Sequence, residues 1–122
     1  MDSNRDDNNT VISFLKTKVK KFVVEREWTQ YHTPKNLIQA LQIEAAELSE
    51  LFLFKELAKD DILKNKELVD QISNEMADVL IYLISLSNCL NIDLAQSFIK
   101  KMEINKNKYS IKEFNDGMYF KK

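Results

Sequence analysis

The sequence predicts an all-α chain built from a few long helices, and three observations lead there. Glycine and proline occur once each in 122 residues, too little punctuation for the repeated reversals of an all-β chain. Apolar residues recur at three- and four-residue intervals over long stretches, the period of a helix with one buried face. Residues suited to helix caps stand where that period is interrupted.

The first helix is expected over Thr10–Trp28, with Val11, Phe14, Leu15, Val19, Phe22 and Val23 on its apolar face. Residues 1–9 ahead of it are polar, lack the apolar stretch of a signal peptide and read as a flexible tail. Gln30 to Pro34 breaks the pattern. Thr33 suits an N-cap and Pro34 the first helical position, where its missing N–H costs nothing. The second helix is expected over Pro34–Leu57. A charged connection, Lys59–Lys66, follows, with Asp60 and Asp61 as candidate caps.

The third helix is expected over Glu67–Leu90, ended by Asn91 in a left-handed conformation, and Asp93 can cap the fourth, Asp93–Lys108. Tyr109–Lys122 reads as a tail that docks through Phe114, Tyr119 and Phe120. One domain over residues 10–110 is expected, with a C-terminal tail over 111–122.

Composition excludes several function classes. Eighteen basic and 19 acidic residues leave a net charge of −1, so no overall field recruits a nucleic acid polymer. The longest apolar run, Val79–Leu86, is too short for a membrane span and is interrupted by Tyr82 and Ser85. A cytoplasmic protein with no membrane partner is expected. The single cysteine, Cys89, cannot form an intramolecular disulfide, and with Leu86 and Leu90 nearby it reads as a small buried hydrophobe.

Two pairs of acids break the apolar pattern. The second helix carries a stripe of Leu37, Leu41, Leu48, Leu51 and Phe52, but Glu44 stands where an apolar residue belongs. Glu47 follows one turn on and Glu50 a further turn along. In the third helix Leu68, Ile72, Met76, Val79 and Leu83 form the stripe, Glu75 interrupts it, and Asp78 follows one turn later. Residues three apart are neighbours on a helix surface, so each pair aims two carboxylates at one place. A carboxylate facing a core costs several kcal/mol unless compensated, and no Lys or Arg lies between Lys66 and Lys100. Mg²⁺ would compensate them: it takes oxygen ligands and shares its remaining positions with water and phosphate. Solvated acidic faces are the plainer reading of a single such pair. A di-iron bundle needs Glu-x-x-His on two helices, and the one histidine, His32, lies in a loop.

These residues resemble the signature of the MazG-like, all-α nucleotide pyrophosphatases: Glu44-Ala45-Ala46-Glu47 with Glu50, then Glu75-Met76-Ala77-Asp78. The flanks are similar to the dCTP pyrophosphatase branch. They are Glu25-Arg26-Glu27-Trp28, His32-Thr33-Pro34-Lys35-Asn36-Leu37, Leu48-Ser49-Glu50-Leu51-Phe52, Val79-Leu80-Ile81-Tyr82-Leu83, and Lys101 to Tyr109. The likeness covers residues 14–110.

The resemblance implies a four-helix bundle-type MazG-like fold. It also implies Mg²⁺-dependent hydrolysis of a nucleoside triphosphate, dCTP-like by preference, to monophosphate and pyrophosphate. Glu44, Glu47, Glu75 and Asp78 would hold Mg²⁺, for which Mn²⁺ could substitute, and the metal would orient the phosphates and neutralise developing charge. Glu50 would support the site or act as base toward water.

On their own, Lys101, Asn105 and Lys108 read as a solvated face; the resemblance makes them, with Tyr109, a surface for polyphosphate or base edge. Tyr82, one turn beyond Asp78, would share the cavity, and Trp28 and His32 would line the base or sugar pocket. Phe54 stands where the branch often has Trp, and still offers a ring to stack on a base. Asn91 stands where glycine is common.

Two other functions fit less well. A catalytically silent helical dimerisation or regulatory module need not keep four acids at the ligand positions. A related enzyme acting on dUTP or phosphoribosyl-ATP would not need the His-Thr-Pro-Lys-Asn and Lys-x-x-x-Asn-x-x-Lys-Tyr segments. Val79–Leu86 is apolar nearly all round, more than three partner helices in one small chain readily cover, so an oligomer is expected, a homodimer or homotetramer.

Overall fold

Five α-helices and one 3₁₀ turn account for the regular structure of residues 2–122, which the computed structural model describes; no strand occurs among them. The helices are α1 (Ile12–Glu25), α2 (Pro34–Glu50), α3 (Lys59–Leu63), α4 (Lys66–Leu90) and α5 (Leu94–Lys108), with the 3₁₀ turn at Thr29–Tyr31. No single one of these helices is long and apolar enough to cross a membrane. The residues divide into two compact units, the first ending at Asn91 and the second running from Ile92 to Lys122.

In the first unit, α1 stops earlier than its apolar period suggests. Trp28 N–H donates to Val23 O and Glu27 N–H to Val24 O, both at 3.0 Å, with Glu27 in a left-handed conformation (φ 58°). This is the paired hydrogen-bond pattern of a Schellman ending, with glutamate where glycine is usual. Ahead of α1, Asp2 pairs with Lys18, and the Arg5 guanidinium lies 3.7 Å from the centroid of the Phe14 ring.

Helix α2 begins as expected: the Thr33 hydroxyl accepts from Asn36 N–H at 3.2 Å and Pro34 opens the helix. It ends at Glu50 rather than Leu57. From Leu51 the backbone bonds shorten to three-residue spacing (Leu51 to Leu48, Phe52 to Ser49, Leu53 to Glu50), and Phe54 turns left-handed (φ 59°), which ends the helical run. The expected connection contains the short helix α3, where the Asp61 carboxylate accepts from Ala58 N–H at 3.0 Å.

Helix α4 is the spine of this unit: α2 packs along it, and α1 and α3 also lean on it. Asn65 caps its start by accepting from Leu68 N–H at 3.1 Å, and Asn91 ends it in the left-handed conformation (φ 53°). The Asn88 amide donates to Lys16 O at 3.0 Å, tying α4 to α1. The buried apolar residues are Val23, Leu37, Leu68 and Ile84, each contributing roughly 1.5–3 kcal/mol when fully buried. The inward line of α4 runs through Leu68, Ile72, Glu75, Val79 and Tyr82, four or three residues apart. Met76 and Leu83, expected in the stripe, are exposed. Cys89, expected to be buried, is exposed as well, as is its neighbour Leu90.

The second unit holds α5, capped by Asp93, which accepts from Gln96 N–H at 2.9 Å. The segment after it folds back through rings: Phe114 lies 5.4 Å from Tyr109 and 4.8 Å from Phe120. Tyr119, expected to dock with them, is exposed.

Candidate active site

The residues that line α2 and α4 face to face repeat at helical spacing, and an acid stands in the middle of each line. On α2 the half-buried or buried positions are Leu37, Leu41, Glu44 and Leu48; on α4 Glu75 lies between Ile72 and Val79. One carboxylate oxygen from each of Glu44, Glu75 and Asp78 falls within 4.8 Å of the others. Glu47, which pairs with Glu44 on α2, is not part of that set, although its charge acts on both Glu44 and Glu75. Glu50, the last residue of α2, is exposed.

The cluster is electrostatically uncomfortable as it stands. Oε2 of Glu44 and Oε2 of Glu75 are buried without a hydrogen-bond partner, and none of the ion pairs among the described residues reaches these acids. Burial, then the carboxylate of Glu47 beside it and the charges of Asp78 and Glu75, push the Glu44 carboxyl up to about 7 from an ordinary 4.5. Glu75 is raised too, by burial first and then by the charges of Glu47 and Asp78, while its contact with Glu44 pulls the other way. Lone oxygens converging without cations or donors form a set that a hard divalent cation would satisfy.

Beside the cluster, in the same unit, lies a cavity of about 520 Å³ whose wall includes Glu44 and Asp78. Its other walls are mostly apolar, with Leu15, Val19, Phe22, Val23, Leu80, Ile81 and Ile84 among them, and Lys18, Trp28, His32, Tyr82 and Ser85 bring polar atoms. The Schellman ending of α1 sets Trp28 there, its ring edge-on to Phe22 at 5.8 Å and 71°. Arg26 covers Phe22, 3.7 Å from its centroid. His32 is placed by the turn ahead of the α2 cap, and burial holds its imidazole below the ordinary value of 6.5. Tyr82 follows Asp78 by one turn. A smaller cavity of about 320 Å³, lined by Lys20, Thr29, Asn88 and Cys89 among others, shares Val19, Val23, His32 and Ser85 with the first.

Thus Trp28, His32, Glu44, Asp78 and Tyr82 border one cavity. Phe54 does not: its side chain is 98% exposed, because the left-handed turn after α2 points it into solvent. Lys101, Asn105 and Lys108 belong to the second unit, where they share one face of α5 at four- and three-residue spacing. Tyr109 follows, its hydroxyl accepting from Lys122 N–H at 2.9 Å. Sequence reasoning passed over Phe22 and Ser85 as cavity residues. The available signal for Ser85 was a hydroxyl inside an apolar run, one turn past Tyr82.

The sequence model of the MazG-like family matches residues 40–118. Among curated proteins, dCTP pyrophosphatase 1 of Rattus norvegicus is 39% identical over 93 residues, covering 75% of this chain and 54% of that protein. Its counterpart from Homo sapiens is 38% identical over 92 residues, covering 73% and 53%. The chain thus spans about half the length of the curated relatives it matches. Among solved structures, a pyrophosphatase from Archaeoglobus fulgidus DSM 4304 superposes with a TM-score of 0.75 at 32% identity, over 88% of this chain and 99% of that one.

Proposed function

The chain belongs to the MazG-like family, and from that premise we propose that it is a nucleotide pyrophosphohydrolase. It hydrolyses a deoxynucleoside triphosphate, dCTP-like by preference, between the α- and β-phosphates. Water adds at the bond that breaks, and the products are the nucleoside monophosphate and pyrophosphate. The observation that carries this reading is the convergence of Glu44, Glu75 and Asp78 oxygens within 4.8 Å beside an aromatic-walled cavity.

The donor set fits Mg²⁺, with Mn²⁺ as a substitute: all oxygens, two of them buried and unpartnered. Glu44, Glu75 and Asp78 would hold the ion, with Glu47 completing the set. When bound, the ion supplies positive charge that orients the polyphosphate and offsets the charge developing on it. The chain's own groups do the rest. Glu50, a turn beyond Glu47, is the group we assign to orienting the water and taking its proton. Trp28 and Tyr82 offer rings to stack on the base, and His32, neutral near pH 7, offers one donor and one acceptor. On α5, Lys101, Asn105 and Lys108 share one face and Tyr109 follows, which we assign as a separate surface for phosphate or base edge.

The proposal includes a homodimer or homotetramer. Met76 and Leu83 on α4 and Ile38 and Ile43 on α2 are exposed, apolar surface of the kind that marks subunit contacts. Phe54, exposed and apolar, would find its cover, and its access to a base, in such an assembly.

The test is pyrophosphate release from each deoxynucleoside triphosphate, first with Mg²⁺ and then with EDTA. Release that EDTA abolishes, fastest with dCTP, is expected. A preference for dUTP would move the chain to a related specificity. No turnover of any triphosphate would overturn the reading in favour of a silent module of the same fold.

A further inference from the structure

Helix α4 buries two serines, and they differ in one respect. The Ser87 hydroxyl donates to Ile84 O at 2.7 Å, the usual way a helical serine satisfies itself. Ser85 is only 6% exposed, yet its Oγ has no hydrogen-bond partner. It lines both cavities of the first unit, as do Val19, Val23 and His32. A buried hydroxyl left unpaired costs roughly 1–3 kcal/mol, and alanine would fill the same volume without that cost. A hydroxyl kept at such a place has use for a partner that arrives from outside.

Ser85 follows Asp78 by seven residues and Tyr82 by three, so the three share one face of α4. Two turns of helix put Ser85 about 10 Å along the axis from Asp78. That is the scale of the reach from a 5′-phosphate, across the sugar, to the far edge of a base. A nucleotide whose phosphates lie at Asp78 has the length to bring the polar edge of its base to Ser85.

We propose that Ser85 is a specificity-determining residue: its Oγ hydrogen-bonds the polar edge of a nucleobase held in the cavity. This rests on the pyrophosphohydrolase reading and deepens it. Stacking on Trp28 and Tyr82 accepts any base, because every base has a π-face. Discrimination needs a hydrogen-bonding group whose partner is lost with the wrong base, and Ser85 shares that cavity with His32.

The experiment compares wild-type protein with Ser85→Ala on dCTP, dTTP, dUTP, dATP and dGTP, and on a base-free deoxyribose triphosphate, measuring kcat and KM separately. Equilibrium binding of the five deoxynucleoside monophosphates and thermal melting are measured alongside. The expected result is a loss of about tenfold in kcat/KM on the preferred base, carried by KM. The spread between bases narrows, the base-free triphosphate shows no loss, and Tm is unchanged or higher. An unaltered base ranking with KM within twofold of wild type would overturn the inference while leaving the pyrophosphohydrolase reading intact. So would an equal loss on every substrate with a lowered Tm, the mark of a structural serine. Wild-type protein that neither hydrolyses any triphosphate nor binds any monophosphate would sink both.

Discussion

Glu44 on α2 and Glu75 on α4 each hold a buried carboxylate oxygen without a partner, and an oxygen of one lies within 4.8 Å of an oxygen of the other. Two like charges facing each other across a helix–helix seam destabilise the fold unless something positive joins them. The apolar residues that flank them, Leu41 and Leu48 on α2 and Ile72 and Val79 on α4, would close the seam readily if the acids were leucines. Their presence is a cost in the metal-free chain.

The metal-free protein should lose stability as pH rises. The Glu44 carboxyl sits at about 7 in the folded chain against 4.5 ordinarily, and Glu75 is raised in the same direction. A raised folded value means the folded chain holds a proton that the unfolded chain has released. Stability is therefore gained as pH falls from about 7 toward 4.5, and lost on the way back up. Thermal melts in EDTA at pH 5.5 and 8 should show the higher Tm at pH 5.5. Saturating Mg²⁺ should raise Tm chiefly at pH 8, where the carboxylates are free to bind it.

Replacing one facing acid should separate stability from activity. Glu75→Gln removes a charge from the cluster while keeping its shape. In EDTA at pH 8 the variant should melt no lower than wild type, and its kcat/KM with Mg²⁺ should fall at least about 100-fold, the upper range for damage to a metal site's supporting groups. Full activity in this variant would mean that Glu75 does not face the reacting phosphates.

Trp28 should matter to binding more than to the chemical step. Its indole borders the cavity edge-on to Phe22, and stacking of a base on an aromatic side chain is worth about 1–3 kcal/mol. Trp28→Ala should raise KM for the preferred triphosphate by about tenfold or more and lower kcat much less. A variant with unchanged KM would place the base elsewhere.

The left-handed glutamate that ends α1 leaves stability to be recovered. A non-glycine residue in that conformation costs roughly 1–2 kcal/mol, partly offset by glycine's greater freedom when unfolded. Glu27→Gly should therefore raise the unfolding free energy by about 0.5–1 kcal/mol in urea titrations. An equal or lower value would show that Glu27 does not occupy the left-handed position.

The ends of the helices show why some of this structure was readable in advance and some was not. Thr33-Pro34, Asn91 and Asp93 announce their boundaries because their side chains or backbone preferences suit a cap. Glu27 and Phe54 also end helical runs, in the same left-handed conformation as Asn91, but neither residue type advertises it. The helices they end are accordingly shorter than their apolar period suggests. In the site, Glu44 and Glu75 stood out because acids interrupt apolar stripes. The choice between Glu75 and Met76 for the inward face turns on one step of helical phase, too fine for spacing alone. Ser85 was silent for a different reason: serine in a helix normally bonds its own backbone, as Ser87 does, and only the packed structure leaves its hydroxyl unpartnered at a cavity wall.

The most direct measurement is the product analysis of dCTP incubated with Mg²⁺ and either wild-type protein or Asp78→Asn. Wild type is expected to give dCMP and pyrophosphate in equal amounts, halted by EDTA, and the variant no products above background. Release of orthophosphate with dCDP, or an Asp78→Asn variant as active as wild type, would contradict it.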